Sequence, residues 1–167
     1  CLTDAQEAAD RLRDVQIPEY FYCDDRMGIP PADSGDGLVV IKGPNIKGLP
    51  QFLPLPERIS VRTVIKVGDN ITTDHIIPAN PDIVQMRSNI PAISRFVFHG
   101  IDPGFADRCD VFGPSVIVAS QNYGQGSSRE HAALGPKYLG VKGVMAKYFA
   151  RIHSQNLWNF GIQTLDF

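Results

Sequence analysis

Cysteine is scarce in this sequence, and no one sign of charge prevails. The three cysteines in 167 residues, Cys1, Cys23 and Cys109, are odd in number and far apart. Such a set excludes a disulfide framework and offers no metal-ligand spacing, so a reducing compartment is the simplest reading. Sixteen Lys and Arg against 18 Asp and Glu leave a formal net charge of −2, without the basic excess that marks a polyanion-binding surface. No run approaches the roughly 18 apolar residues of a membrane span, and no signal peptide opens the chain. The chain begins with Cys1 rather than Met, which reads as a piece of something longer. Apolar residues at 43% and charged residues at 20% place it among globular chains of about one domain.

Proline is unevenly spread. Seven of the 13 prolines fall in the first 56 residues, a density that forbids regular helix and confines any strand there to an edge. Ahead of all of them, Leu2 to Val15 reads as a short helix, with Thr3 as cap and Gln6 three residues on. Leu38 to Ile41 reads as a short strand, and from Gly43-Pro44 to Pro56 the chain runs as an extended strap. Residues 1–57 are therefore expected to form an arm or linker, with a domain over 58–167.

That domain reads as α/β. Val61, Thr63, Ile65 and Val67 alternate with Arg62, Val64 and Lys66, a period of two that predicts a strand. Ser115 to Ser120 predicts a strand buried on both faces, followed by the glycine-rich turn Asn122-Tyr123-Gly124-Gln125-Gly126. A helix over Ser128 to Leu139, a strand over Val141 to Lys147, a helix over Phe149 to Phe160 and a strand over Ile162 to Phe167 complete the order. Phe149, Ile152, Leu157 and Phe160 are expected on the inner face of the last helix, which Gly161 stops. Strands alternating with helices in this way imply crossovers and a parallel sheet, with the site at the strands' carboxyl ends.

Two segments carry candidate chemistry. Gly124-Gln125-Gly126-Ser127-Ser128-Arg129-Glu130-His131 follows a buried strand and opens a helix, an arrangement that presents unpaired N–H groups to an anion. Arg129 adds a planar fork suited to a carboxylate or phosphate. A serine here is too weak an acid to be a base unaided, but N–H donors and a guanidinium stabilise an alkoxide. Against that, Ser127-x-x-Glu130 is also a capping box, which would use the serine on the helix itself. The turn is no Walker loop, because no Gly-Lys-Ser/Thr follows at the required spacing. In the second segment, Thr72, Thr73, Asp74 and His75 form a polar run wedged between Ile71 and Ile76. Asp74 can accept from a serine hydroxyl or orient an arginine, and His75 can be simply structural. Arg87, alone, reads as a solvated charge; His99 and His153 read as structural or exposed, and Trp158 as a packing residue.

Taken together, GDNITTDHIIP (Gly68–Pro78), RSNIPAIS (Arg87–Ser94), NYGQGSSREHAAL (Asn122–Leu134) and AKYFARIHSQNLWNFG (Ala146–Gly161) resemble the C-terminal swivelling domain of the aconitase family. The likeness covers about residues 58–167 and extends weakly into the arm. It implies a three-layer β/β/α fold with a mostly parallel central sheet. It also implies a hydro-lyase that isomerises citrate to isocitrate through cis-aconitate, with a four-iron–four-sulfur cluster on other domains. By motif position Ser127 matches the serine that removes the substrate proton. Ser128 and Arg129 match its carboxylate-binding neighbours, and Arg87 a second carboxylate-binding arginine. Thr73 and Asp74 match the polar pair bordering the site, Asp74 being counted with Ser127 as catalytic. Ile77 departs from animal mitochondrial relatives, which carry serine there, and suggests a bacterial-type, cytoplasmic branch.

Cys1, Cys23 and Cys109 match none of the family's ligand contexts. The chain is therefore expected to bind no cluster or other metal, to be a piece of a longer protein, and to be inactive without its cluster-bearing domains. An alternative reading is the small subunit of a 3-isopropylmalate or homoaconitate isomerase, a related hydro-lyase that carries this domain on its own chain. A binding module for structured RNA is a further reading that the charge balance does not support, so nucleic acid is disfavoured as a partner.

Overall fold

The computed structural model describes Ala9 and residues 16–31 and 33–167. The helix expected over Leu2 to Val15 lies, Ala9 apart, outside those residues. The chain divides into two compact units, Cys1–Val40 and Ile41–Phe167. In the first, besides the helical Ala9, the described residues hold a 3-10 turn, Asp25–Met27, in which Arg26 N–H donates to the Asp24 carboxylate. Leu38 to Ile41, expected as a strand, is not one. Its four side chains are 68–93% exposed, so it lacks the half-buried surface that makes a strand worth forming.

The second unit holds one four-stranded sheet, all parallel, in the order β1-β2-β3-β4. The strands are β1 (Arg62–Lys66), β2 (Ser115–Val118), β3 (Val141–Ala146) and β4 (Gln163–Asp166). Among the described residues the β structure is this sheet and two isolated parallel bridges. The α/β fold class is as expected. The helices are α1 (Thr73–Ile76), α2 (Pro81–Val84), α3 (Ile90–Ser94), α4 (Phe105–Phe112), α5 (His131–Tyr138) and α6 (Arg151–Asn159). Ile117 and Val144, partners in register, are fully buried, whereas the neighbouring row Val118, Met145 and Leu165 is partly open. One face of the sheet is thus sealed and the other stands open toward its carboxyl end.

Two details of the sequence reading change. In β1 the strict alternation fails: Val64 and Ile65 are both buried and Thr63 is exposed, because the pairing with β2 shifts register between Thr63 and Ile65. In α6 the inner face is His153, Asn156 and Leu157, with Phe160 half-buried after it, and Ile152 is 54% exposed. In the sequence the helical spacing runs from Phe149. That residue and Ala150 precede the helix, Ala150 in extended backbone, so the helical period starts two residues later. Trp158 is likewise an exposed residue whose Nε1–H donates to Thr164 Oγ1 at 2.5 Å.

Candidate functional site

Parallel pairing carries on past the ends of the strands, and this builds the site. Thr72 bridges Gln125, and Tyr123 bridges Phe149, so the segments leaving β1, β2 and β3 lie side by side at one end of the sheet. Backbone bonds lock them together: Gly124 N–H donates to Ile71 O at 2.6 Å, Thr73 N–H to Gln125 O at 2.9 Å, and Ala150 N–H to Tyr123 O at 2.9 Å. Carboxyl ends of adjacent parallel strands are where an α/β sheet collects a ligand.

The β1 exit is held by a capping box in which His75 takes part. Thr72 Oγ1 accepts from His75 N–H at 3.1 Å, and His75 Nδ1 accepts from Thr72 N–H at 3.0 Å. His75 Nδ1 is thereby taken up by the cap. Thr73, fully buried, faces the β2 exit: its Oγ1 lies 3.2 Å from Ser127 Oγ and accepts from Ser127 N–H at 3.2 Å. Either hydroxyl can be the donor in that contact, and when Thr73 donates, Ser127 Oγ is the acceptor.

Two glycines make the β2 exit possible. Gly124 (φ +84°) leaves no room for a side chain, since a Cβ there would sit 2.1 Å from the His153 ring. Gly126 (φ +115°) passes so near Thr73 that a Cβ would lie 3.2 Å from its Oγ1.

The capping-box reading of Ser127 is corrected. Helix α5 begins at His131, and its cap position is Glu130 with no side-chain cap bond, so neither Ser127 nor Ser128 caps it. Residues 127–129 run as an irregular, largely exposed segment ahead of the helix. Ser127 N–H is taken by Thr73, while the N–H groups of Ser128 and Arg129 make no hydrogen bond among the described residues. Ser128 is held through its carbonyl, which accepts from Asn156 Nδ2 at 3.3 Å.

Of the two roles open to Asp74, the structure shows the orienting one. Arg129 donates from a single nitrogen to Asp74 Oδ1 at 3.0 Å and to Ile77 O at 2.7 Å. Its other guanidinium nitrogens make no hydrogen bond among the described residues. Ile77 contributes its backbone carbonyl, while its side chain is buried against Gly135 of α5. Arg87 joins the site through the chain: its carbonyl lies 2.8 Å from His131 Nε2, and Arg87, Arg129 and His131 line one pocket of about 150 Å³ with Ile77, Val84 and Ile93. The two arginines expected to bind carboxylates are thus brought to one pocket.

Ser127 lines the neighbouring pocket, of about 420 Å³, together with Arg151, Ile152 and Gln155. Sequence reasoning missed Arg151, His131 and the Ile77 carbonyl. A signal for Arg151 existed in its position at the start of a helix after a parallel strand; for a backbone carbonyl there is none. His99 is exposed and packs edge-on against Phe96, while His153 is buried beneath the glycine turn, 5.4 Å from the Tyr123 ring. Both His153 nitrogens and the Tyr123 hydroxyl are buried without partners, and burial pushes the imidazole down to about 4 and the phenol up.

The two described cysteines, Cys23 and Cys109, are free thiols. Cys109 is buried in α4 with its thiol pushed up to about 11 by burial, and Cys23 is exposed in the other unit. Among the described residues no three His, Cys, Asp or Glu side chains converge on a point, and no helix is long and apolar enough to cross a membrane.

Residues 107–167 match the aconitase C-terminal domain. A 3-isopropylmalate dehydratase small subunit from Archaeoglobus fulgidus is 46% identical over 101 residues, 60% of this chain and 58% of that protein. A probable mitochondrial aconitate hydratase from Dictyostelium discoideum is 32% identical over 165 residues, 83% of this chain and 21% of that one. A solved 3-isopropylmalate dehydratase from Methanocaldococcus jannaschii, 41% identical, covers 55% of this chain and 52% of its own, with a TM-score of 0.49. The chain therefore spans about three-fifths of the small subunit's length and about a fifth of the aconitate hydratase's.

Proposed function

The chain belongs to the aconitase family, and from that premise we propose that it is the swivelling part of a hydro-lyase, moving water on and off a hydroxy acid that carries two or more carboxylates. The observation that supports this best is the Thr73–Ser127 contact at 3.2 Å beside an arginine steered by Asp74 and Ile77 O. In this reading Ser127 Oγ, as an alkoxide, takes the proton from the substrate carbon next to a carboxylate. The Thr73 hydroxyl donates to that oxygen, and the positive charge of Arg129 lies two residues away. The free guanidinium nitrogens of Arg129, the side chain of Arg87 and the unpaired N–H groups of Ser128 and Arg129 bind the carboxylates. Asp74 acts on Arg129, holding the fork at its angle. The four-iron–four-sulfur cluster of the family belongs, in this reading, to a companion domain or subunit, and this chain alone turns nothing over. Unpaired thiols at Cys23 and Cys109 suit a reducing, cytoplasmic setting.

For the substrate, the relatives favour 3-isopropylmalate over aconitate, because identity is highest with the isopropylmalate dehydratase small subunits. The aconitate reading draws on a different observation: matches to aconitate hydratases extend over 83% and 99% of the chain, against 60–62% for those small subunits.

The test is hydration of cis-aconitate and of 2-isopropylmaleate by this chain assembled with its cluster-bearing companion under anaerobic conditions. One of the two should turn over, and Ser127→Ala should lower that rate by about 10²- to 10⁴-fold with unchanged thermal unfolding. Near-normal turnover by Ser127→Ala would remove the serine from its role.

A further inference from the structure

We infer that Asn156 is a positioning residue, which acts through the Ser128 carbonyl to aim the Arg129 backbone N–H at a substrate carboxylate. The inference rests on the hydro-lyase reading above. Asn156 is 8% exposed on the inner face of α6, and its Nδ2 donates to Ser128 O at 3.3 Å. A carbonyl can only accept, so the amide must present its nitrogen there. Among the described residues this is the only hydrogen bond between α6 and residues 125–130, which have no regular structure of their own before α5.

Backbone geometry gives that one bond its consequence. The chain has no cis peptide bond among the described residues, so the Ser128–Arg129 peptide carries its C=O and N–H on opposite sides. With the carbonyl held to α6, the Arg129 N–H points away from that helix, and it makes no hydrogen bond among the described residues. The pocket of Arg87, Arg129 and His131 takes no residue from α6, whereas the Ser127 pocket takes Arg151, Ile152 and Gln155 from it. The free N–H therefore stands on the side of the two arginines. The segment is also held from the β1 exit, where Ser127 N–H donates to Thr73 Oγ1 at 3.2 Å. Thr73 and Asn156 thus fix two peptide planes that bracket Ser127 and Ser128. One turn before Asn156, the His153 ring presses on Gly124, so a single face of α6 backs both the turn and the serine segment. Without the amide, the Ser128–Arg129 peptide is free to rotate and its N–H loses its aim.

The experiment uses the assembled enzyme and whichever of cis-aconitate and 2-isopropylmaleate the unsubstituted enzyme turns over, since both carry the carboxylates concerned. Asn156→Ala removes the donor, and Asn156→Asp keeps the shape but sets an acceptor against the carbonyl. Asn156→Ala should raise KM by about tenfold, the scale of one hydrogen bond to a charged group, with kcat nearly unchanged. Asn156→Asp should raise it by about 10- to 100-fold, because two acceptors facing each other drive the peptide to turn over. Asn156→Gln, which keeps a donor, should recover part of the loss. Hydrogen exchange at the Ser127 amide should quicken in the Ala and Asp variants while amides within α5 and α6 keep their rates. A lower melting temperature with KM unmoved would mark Asn156 as merely structural and overturn the inference. Parent values of KM in both the Ala and Asp variants would overturn it too, while leaving the hydro-lyase reading standing. Turnover of neither substrate by the unsubstituted enzyme takes down both.

Discussion

Two arginines of this domain are built from the same parts and end differently. Arg108 of α4 meets Asp102 and the carbonyl of Val64; Arg129 meets Asp74 and the carbonyl of Ile77. Arg108 spends all three nitrogens, Nε on Val64 O at 3.3 Å and both terminal nitrogens on the two oxygens of Asp102. That pairing holds the Asp102 carboxyl below the usual carboxylate range, chiefly through its hydrogen bond to Arg108. Arg129 spends one nitrogen on both partners and keeps the rest. The first arrangement is complete without a ligand, and the second is aimed and left open. Beneath the glycine turn that precedes Ser127, His153 and Tyr123 lie buried with unpaired atoms, and Arg151 lacks an ion pair among the described residues. Three of the four buried side-chain atoms without a partner among the described residues belong to Tyr123 and His153 beneath the glycine turn, and the fourth is Ser115 Oγ at the start of β2.

The largest effect expected from this contrast lies with His153. Its folded pKa of about 4 is below the ordinary value of 6.5 because burial disfavours the charged ring. Above pH 6.5 both folded and unfolded chains carry it neutral, and it costs nothing. As pH falls from 6.5 toward 4, the unfolded chain takes up a proton that the folded one refuses, so stability should drop, by on the order of 3 kcal/mol in total. Urea unfolding at pH 7 and pH 4.5 should show that drop in the parent and a smaller one in His153→Gln. Equal drops would mean that the ring finds a partner and that the buried end of the site is satisfied after all.

Gly124→Ala comes next. A methyl group there must displace the His153 ring and hold a positive φ, so a loss of at least about 2 kcal/mol is expected in thermal or urea unfolding. The comparison itself is sharpened by exchanging each arginine for lysine. Arg129→Lys should raise KM by about tenfold or more with little change in melting temperature. Arg108→Lys should leave the kinetics alone and cost about 1 kcal/mol, a few degrees in melting temperature, because that pair is only partly buried. If the two substitutions exchanged their effects, the distinction between a complete and an open arginine would fail.

Much of this site was legible as residues and little of it as contacts. Ser127, Arg129, Thr73 and Asp74 stood out because polar residues were wedged between apolar runs and followed a glycine turn. That Ser127 belongs to Thr73 rather than to a helix cap was not legible. The Ser127-x-x-Glu130 pattern fits a capping box in any context, but Thr73, 54 residues away, takes the Ser127 N–H, while Asn156 holds the Ser128 carbonyl and Asp74 the Arg129 side chain. Ile152 misled in a similar way: its spacing from Phe149 looked helical, but the Tyr123–Phe149 bridge keeps Phe149 extended and resets the phase of α6.

The amino-acid order alone determined that β1 to β4 would be strands joined through helices, that the turn after β2 must contain glycine, and that the candidate site residues would stand in SSRE and TTDH. These follow from local sterics and from which side chains water rejects, and both are properties of short stretches. The tertiary structure alone decided which hydroxyl meets which, which arginine is left open, and that Arg151 stands beside the serine. Those outcomes depend on the lateral pairing of segments that leave different strands, and parallel pairing brings together residues with no local sequence relation to one another.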